Sequence, residues 1–285
     1  TMEGMLVPIC AYVVMAVSLN LTVGVLGELS LGHAGFMSVG AFSGIVAMSC
    51  LLQVIPSKGI CLFIAIIIGG LMAAIAGVIV GVPILRLSGD YLAIVTLAFG
   101  EIIKSIVNNL YVGLDSTGLH FALLKNTLQM NEGAKLILNG PMGATGVKTA
   151  STLTAGFILI MVCLIVIFNL TNSRSGRAIM ALRDNKIAAQ SVGISVTKYK
   201  LMAFVVSAAM AGMAGVLFAM NFTTLVATKF DFNTSILVLV FVVLGGLGNM
   251  RGSIIAAALL SVLPELLRSF ADYRMLIYAI VLILM

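Results

Sequence analysis

The sequence predicts an all-α polytopic integral membrane protein, with about eight or nine transmembrane or half-membrane helices packed through glycine. Three observations predict it. Only 9% of the 285 residues are Asp, Glu, Lys or Arg, against about 25% in an ordinary soluble domain. The chain is 61% hydrophobic with a mean hydropathy of +1.20, too few charges to cover a soluble surface. Its apolar residues fall in runs near the ~20 residues that one helix needs to cross a bilayer. This composition excludes a soluble enzyme, a nucleic-acid-binding domain and a disordered chain.

The runs are 5–26, 29–52, 59–86, 90–110, 151–170, 201–220, 235–248, 252–267 and 274 to the end. The first six are long enough to cross alone. Run 235–248 would reach only about 21 Å as a helix, and it contains Gly245, Gly246 and Gly248. It pairs with 252–267 either as a hairpin of short helices or as a re-entrant pair, since irregular backbone at depth is tolerated only inside protein or beside a cavity. The whole is read as one transmembrane domain, 1–285. The chain starts at Thr1 and stops within an apolar run, so both termini are expected to be truncated, and no signal peptide is visible.

Two polar stretches separate the runs. Residues 111–150 carry Lys125, Lys135 and Lys148 against Asp115 and Glu132; 171–200 carry Arg174, Arg177, Arg183, Lys186, Lys198 and Lys200 against Asp184 alone. The denser positive charge places 171–200 in the cytoplasm, and alternation then places 111–150 and the N-terminus outside. The orientation rests on that one loop, because summed over all loops Lys and Arg split eight inside (Arg86, the six of 171–200 and Arg251) to seven outside. The formal charge of +6 is read the same way, as loop charge rather than as a nucleic-acid surface.

Glycine recurs inside the spans: Gly32, Gly35, Gly40 and Gly44 in the second, Gly69, Gly70, Gly77 and Gly81 in the third. Small residues let helices approach closely, and the same pattern would suit a substrate path lined by backbone. A faint internal similarity links Val25-Leu26-Gly27-Glu28-Leu29 with Val243-Leu244-Gly245-Gly246-Leu247.

Few residues carry chemistry. Glu101 and Lys104 share a helix face at i,i+3, either as a translocation or proton-relay site or as a neutralised structural pair. Asn20, Glu28 and His33 surround the turn between the first two spans, and Glu28 is expected at a water interface. Asn20, an amide inside an apolar helix, requires a partner helix or a substrate. Cys10, Cys50, Cys61 and Cys163 form no CxxC pair and are read as small hydrophobes. His33 and His120 are too few for a histidine-based metal site, so no metal is expected. Gly140–Thr149 lacks the G-x-x-x-x-G-K-[ST] spacing of a phosphate loop, which leaves no ATPase of the chain's own and no cofactor. Within 171–200, Ile179, Met180, Leu182, Ile187, Ala188, Val192 and Ile194 allow one or two short amphipathic helices, suited to a membrane surface or a docking partner.

Several motifs in order resemble one family. They are Leu19-Asn20-Leu21 with Gly27-Glu28-Leu29-Ser30-Leu31-Gly32-His33-Ala34-Gly35-Phe36; Leu85 to Ile103 with Ser88-Gly89-Asp90-Tyr91 and Gly100-Glu101; Ser175-Gly176-Arg177-Ala178; Ala188-Ala189, Gly193-Ile194 and Tyr199-Lys200; Ala211-Gly212-Met213-Ala214-Gly215; Val243 to Gly248; and Leu263-Pro264-Glu265. Together they resemble the branched-chain amino-acid permease family of ABC transporters (LivM-type), across nearly the whole chain. The resemblance implies a non-enzymatic transporter subunit in the cytoplasmic (inner) membrane of a prokaryote. It implies a second, related permease, two ATPase subunits that bind the ATP, and an extracytoplasmic substrate-binding protein. It also implies a cytoplasmic coupling loop of pattern E-A-A-x-x-x-G, which Ala188, Ala189 and Gly193 match while Ile187 stands in place of Glu. Arg174, Gly176, Arg177, Arg183, Asp184, Ala188, Ala189 and Gly193 are then the expected coupling residues, and Asn20, His33 and Glu101 the expected path residues. The family's glycine-rich outer segment is matched by Asn139 to Gly146, displaced by about two dozen residues inserted after Asn108-Asn109, and outer loops tolerate such insertions.

Branched-chain amino acids are the substrate the resemblance implies, with urea or another small solute as an alternative. Two other classes stand beside it: an ion-coupled secondary transporter using Glu101 and Lys104, and a non-transporting membrane scaffold whose basic loop binds lipid.

Overall fold

A computed structural model describes residues 2–84, 87, 89–115, 118–123 and 135–266. Arg86, Lys125, Glu132 and the run from 274 lie outside them. Ten α-helices are found among the described residues. They are α1 (Met2–Asn20), α2 (His33–Val54), α3 (Lys58–Ile84), α4 (Asp90–Asn108), α5 (Leu153–Asn172), α6 (Arg174–Asp184), α7 (Lys186–Ser191), α8 (Val196–Ala219), α9 (Phe232–Leu244) and α10 (Met250–Leu266). Seven segments are long and apolar enough to cross a membrane. α1 continues as a π-helical segment, Leu21–Val25, so one rod of apolar residues covers nearly the whole first run. Side-chain caps set several starts: Thr152 for α5, Ser173 for α6, Asn185 for α7 and Asp231 for α9 each accept a backbone N–H of the first turn.

Residues 171–200 fold as two short helices, α6 and α7, then enter α8. The short run after 231 and the following one form α9 and α10, joined by a tight turn at 245–249 with Gly246 and Gly248 at positive φ. The stretch 111–150 is more ordered than a loop. Its strands β1 (Leu110–Asp115), β2 (Gly118–Leu123), β3 (Lys135–Asn139) and β4 (Ala144–Thr145) join β5 (Thr224–Leu225) in an antiparallel sheet of order β2-β1-β3-β4-β5. The helix-only reading missed it because these strands are short and cap a helical body; β5 pairs with β4 from 79 residues further along (Ala144↔Leu225 and Thr145↔Thr224).

α8 is the central post. Ala208, Ala211, Gly212, Ala214 and Gly215 are buried between α1, α2 and α3. Here glycine acts by absence of a side chain. Gly40 of α2 meets Gly212 of α8 backbone to backbone, and a Cβ at Gly40 would overlap the Gly212 carbonyl. Gly69 and Gly70 of α3 take the Val216 and Met213 side chains into the space a Cβ would fill. Without water exclusion to drive association in lipid, this close packing is the main source of helix–helix contact.

Two elements break the pattern of through-going helices. Residues 26–32 are irregular, and α2 begins only at His33. His33 meets Ser207, which stands roughly three turns and 16 Å beyond the start of α8. Ser235, in the first turn of α9, accepts from the Ala34 N–H, so α9 also begins near that level. The two helices therefore start beside the middle of α8, inside the helical body and not at its end. The sheet lies at one end of α8, where Ala150 N–H donates to the Met220 carbonyl, and α6–α7 lie at the other.

Replacing Gly40 by Ala is expected to destabilise the protein by about 1–3 kcal/mol through overpacking. Gly59→Ala, where nothing lies within 4 Å of the added carbon, should leave stability unchanged or slightly raised. Thermal melting of the two variants in one detergent makes the comparison.

Candidate functional site

The basic stretch is a small folded unit. Ser173 accepts from the Gly176 N–H at 3.1 Å and donates to the Leu170 carbonyl at 2.6 Å, fixing the corner between α5 and α6. Gly176 is buried there, and a Cβ would overlap the Leu170 and Thr171 carbonyls. Arg177 donates to the Asn172 carbonyl across the same corner. Asn185 Oδ1 accepts from both Ile187 and Ala188 N–H at 3.0 Å, which starts α7. Gly193, at φ +84°, turns the chain out of it. Leu182, Ala189 and Val196 form the unit's own small core. Arg174, Arg177, Asp184, Ala188 and Gly193 are exposed, while Gly176 and Ala189 are buried. The tip also presents Ile187 and Val192, each 77% exposed.

This unit is bonded to the helical body through Arg183. Its Nη1 donates to the Gly24 carbonyl at 2.7 Å, and Nε lies 3.6 Å from Asp184 Oδ1. Gly24 sits in the π-helical segment, whose altered register leaves its carbonyl free for such a donor. Gly27, at φ +78°, has no Cβ because the Arg183 methylenes occupy that space. One turn back along the same rod, Asn20 is fully buried. Its Nδ2 donates to Ser253 Oγ at 2.8 Å and its Oδ1 accepts from the Gly248 N–H at 2.8 Å. Asn20 thus holds the α9–α10 turn against α1, and Gly24 lets the turn approach.

Beside them, Lys200 and Glu28 form an ion pair, with side chains only 3% and 13% exposed. Glu28 is therefore an interior group and not the water-interface residue expected from its position in a turn. Lys200, counted in the basic loop, is the first-turn residue of α8 that neutralises it. Deeper, His33 Nε2 lies 2.8 Å from Ser18 Oγ, and Ser207 Oγ donates to the Ser18 carbonyl at 2.6 Å. Since Ser18 Oγ donates to the Met15 carbonyl, the network assigns Nε2 of His33 as the donor to it.

Glu101 lies apart from this junction. It stands roughly three turns and 16 Å along α4 from Asp90, near the middle of that span. Glu101 Oε2 and Lys104 Nζ are 2.5 Å apart, and the side chains are 40% and 23% exposed. A crevice of 10 Å³ beside Glu101 is lined by Leu97, Gly100, Phe230, Asp231, Phe232 and Ser235. It is too narrow for an amino acid, being about the space of one water molecule.

The structure therefore brings Asn20 and the Arg183 contact together at one end of α1 and seats His33 behind them, while Glu101 stands on a separate face. Sequence reading passed over Ser18, Gly24, Ser207 and Ser253, and it named Lys200 and Gly248 without these contacts. Their one visible signal was a polar or glycine residue inside an apolar run, which many structurally neutral positions share.

Removing one member of the buried pair, as in Lys200→Met, is expected to cost about 3–5 kcal/mol by stranding a charge. The double variant with Glu28→Gln should recover most of the loss. Melting temperatures of the two single variants and the double form the cycle that checks it.

Residues 1–285 match the family of branched-chain amino acid transport system permease components. The chain is 38% identical to the high-affinity branched-chain amino acid permease protein LivM of Escherichia coli, over 96% of this chain and 65% of that protein. It is 23% identical to LivH of the same bacterium, over 96% of this chain and 87% of that protein. It is also 23% identical to the fructose import permease protein FruG of Bifidobacterium longum, over 82% of this chain and 67% of that protein. The chain thus spans about two thirds, 65%, of the length of LivM. No solved structure matches it.

Proposed function

Because the chain belongs to the branched-chain amino acid transport permease family, we propose that it is a membrane-spanning subunit of an ATP-driven importer. It passes branched-chain or related amino acids across the inner membrane of a prokaryote. It carries out no covalent chemistry of its own. ATP is bound and hydrolysed by two separate ATPase subunits, substrate arrives from an extracytoplasmic binding protein, and a second, related permease completes the passage.

The observation that carries the reading is the bond from Arg183 to the Gly24 carbonyl. The α6–α7 unit is the cytoplasmic coupling element, and its exposed Ile187 and Val192 seat in a groove of the ATPase. Arg174, Arg177, Asp184 and Ala188 surround that contact, while Gly176, Ala189 and Gly193 set its shape. Movement of the unit reaches the spans through Arg183, because its guanidinium is bonded to the rod that Asn20 ties to the α9–α10 turn. A rigid short helix pushing on bonded elements shifts them as a unit. Glu101 forms part of the passage wall, with Asn20 and His33 bracing the helices behind it. The sheet end faces outward and receives the binding protein.

Two experiments test this. In mild detergent, an ATPase subunit should co-purify with the intact chain and be lost with Arg177→Glu plus Gly193→Trp while the permease stays folded; absence of any ATPase under all conditions would end the reading. In proteoliposomes holding the complete complex, Arg183→Gln should leave ATP hydrolysis in place and lower transport by about tenfold, the equivalent of ~1.4 kcal/mol in coupling. Equal loss of both activities would place Arg183 in folding and not in coupling.

A further inference from the structure

The outer faces of the helical body are of two kinds. On α5 every exposed side chain from Phe157 to Phe168 is apolar, and on α3 the same holds from Ile60 to Pro83. Faces of that kind suit lipid chains.

The α4 face differs. It is the least covered of the candidate spans, 17% buried against 67% for α8. Yet it carries Glu101 and Lys104 near mid-depth, with the Glu101 side chain 40% exposed and Ser105 exposed beside it. Asn233, in the first turn of the adjoining α9, is exposed too. The Lys104 contact balances the charge without covering the carboxylate. Ionisable groups at that depth face protein or a water path and not hydrocarbon. Ala98, exposed on this face, keeps it low enough for close helix approach, while Gly100 packs inward on Gly32. The narrow crevice at Glu101 is lined by α4, by Phe230 and Asp231 with the first turn of α9, by Gly35 of α2 and by Leu31 of the irregular stretch before it.

We infer that the face formed by α4 and the first turn of α9 is the seat of the second permease, with the passage running between the two and Glu101 on its wall. This rests on the importer reading and adds the surface and the kind of partner to it. The occupant is membrane-embedded, because a soluble protein does not reach mid-bilayer. It presents small and polar side chains opposite Glu101 and Ser105. It is a related permease and not a second copy of this chain. LivM and LivH, to both of which the chain is similar, are two distinct permease proteins of one bacterium.

The test places a benzophenone side chain singly at Ala98 or Ile102 of α4, and at Ile165 of α5, in the whole complex purified with its ATPase subunits. All three positions are exposed, so folding is retained; elution as an intact complex checks it. On irradiation, the two α4 positions should yield adducts whose peptides belong to the related permease, and Ile165 should yield lipid adducts only. Lipid adducts alone at α4, adducts to a second copy, adducts to residues 267–285 of the same chain, or permease adducts only at Ile165 would each overturn the inference. A complex that contains ATPase subunits and a second permease while giving one of those results overturns the inference and leaves the importer reading standing. Failure of any partner to purify overturns both.

Discussion

Residues 26–32 run between helices without forming one, and although Gly27 and Leu29 are exposed, each buried backbone N–H and C=O of the stretch must find a partner. The rest of the junction is arranged around that requirement. Leu26 and Glu28 N–H donate back to the carbonyls of Leu21 and Thr22 in the π-helical segment. Leu31 N–H donates to Thr96 Oγ1 on α4, and Ala34 N–H to Ser235 Oγ on α9. Arg183 takes the Gly24 carbonyl that the π register leaves over. Four different helices are thus recruited to one irregular stretch, and moving any of them disturbs the others.

The body divides by packing into a rigid part and a looser part. α2, α3 and α8 meet backbone to backbone at Gly40, Gly69 and Gly212, where no side chain remains to adjust. α4 touches this core through Gly32, Gly35 and Gly100 but leaves most of its surface uncovered. α9 is held at its two ends, by the Asp231 cap and by the turn bonded to Asn20, and has few buried side chains between them. A part that is fixed by bonds at its ends and lightly packed along its length is suited to shifting as a unit.

The weak likeness between Val25–Leu29 and Val243–Leu247 has a structural counterpart. Both segments close the end of a helix, and each turn uses a positive-φ glycine, Gly27 in one and Gly246 in the other. The two turns lie side by side, joined by Gly248 N–H to Asn20 Oδ1. Only glycine takes those backbone angles without cost, but the two fall at different places in the motif, since Gly27 matches Gly245, which is right-handed at φ −71°.

What the sequence by itself determined is the part of the structure that each segment settles locally. A run of ~20 apolar residues in lipid has to satisfy its backbone within itself, so hydropathy alone marks the spans, and the density of basic residues marks the α6–α7 unit. The order of motifs also carried the family. What only the tertiary structure decided is where the isolated polar residues go. Asn20 with Ser253, Arg183 with Gly24 and Glu28 with Lys200 are joined across 233, 159 and 172 residues, so each looked unpaired when read along the chain. The small sheet was hidden for the same reason, since β5 reaches it from beyond α8. Burying an unpaired polar group costs more than any local preference supplies, so partners are fixed by which helices pack together, and no window of sequence contains that information.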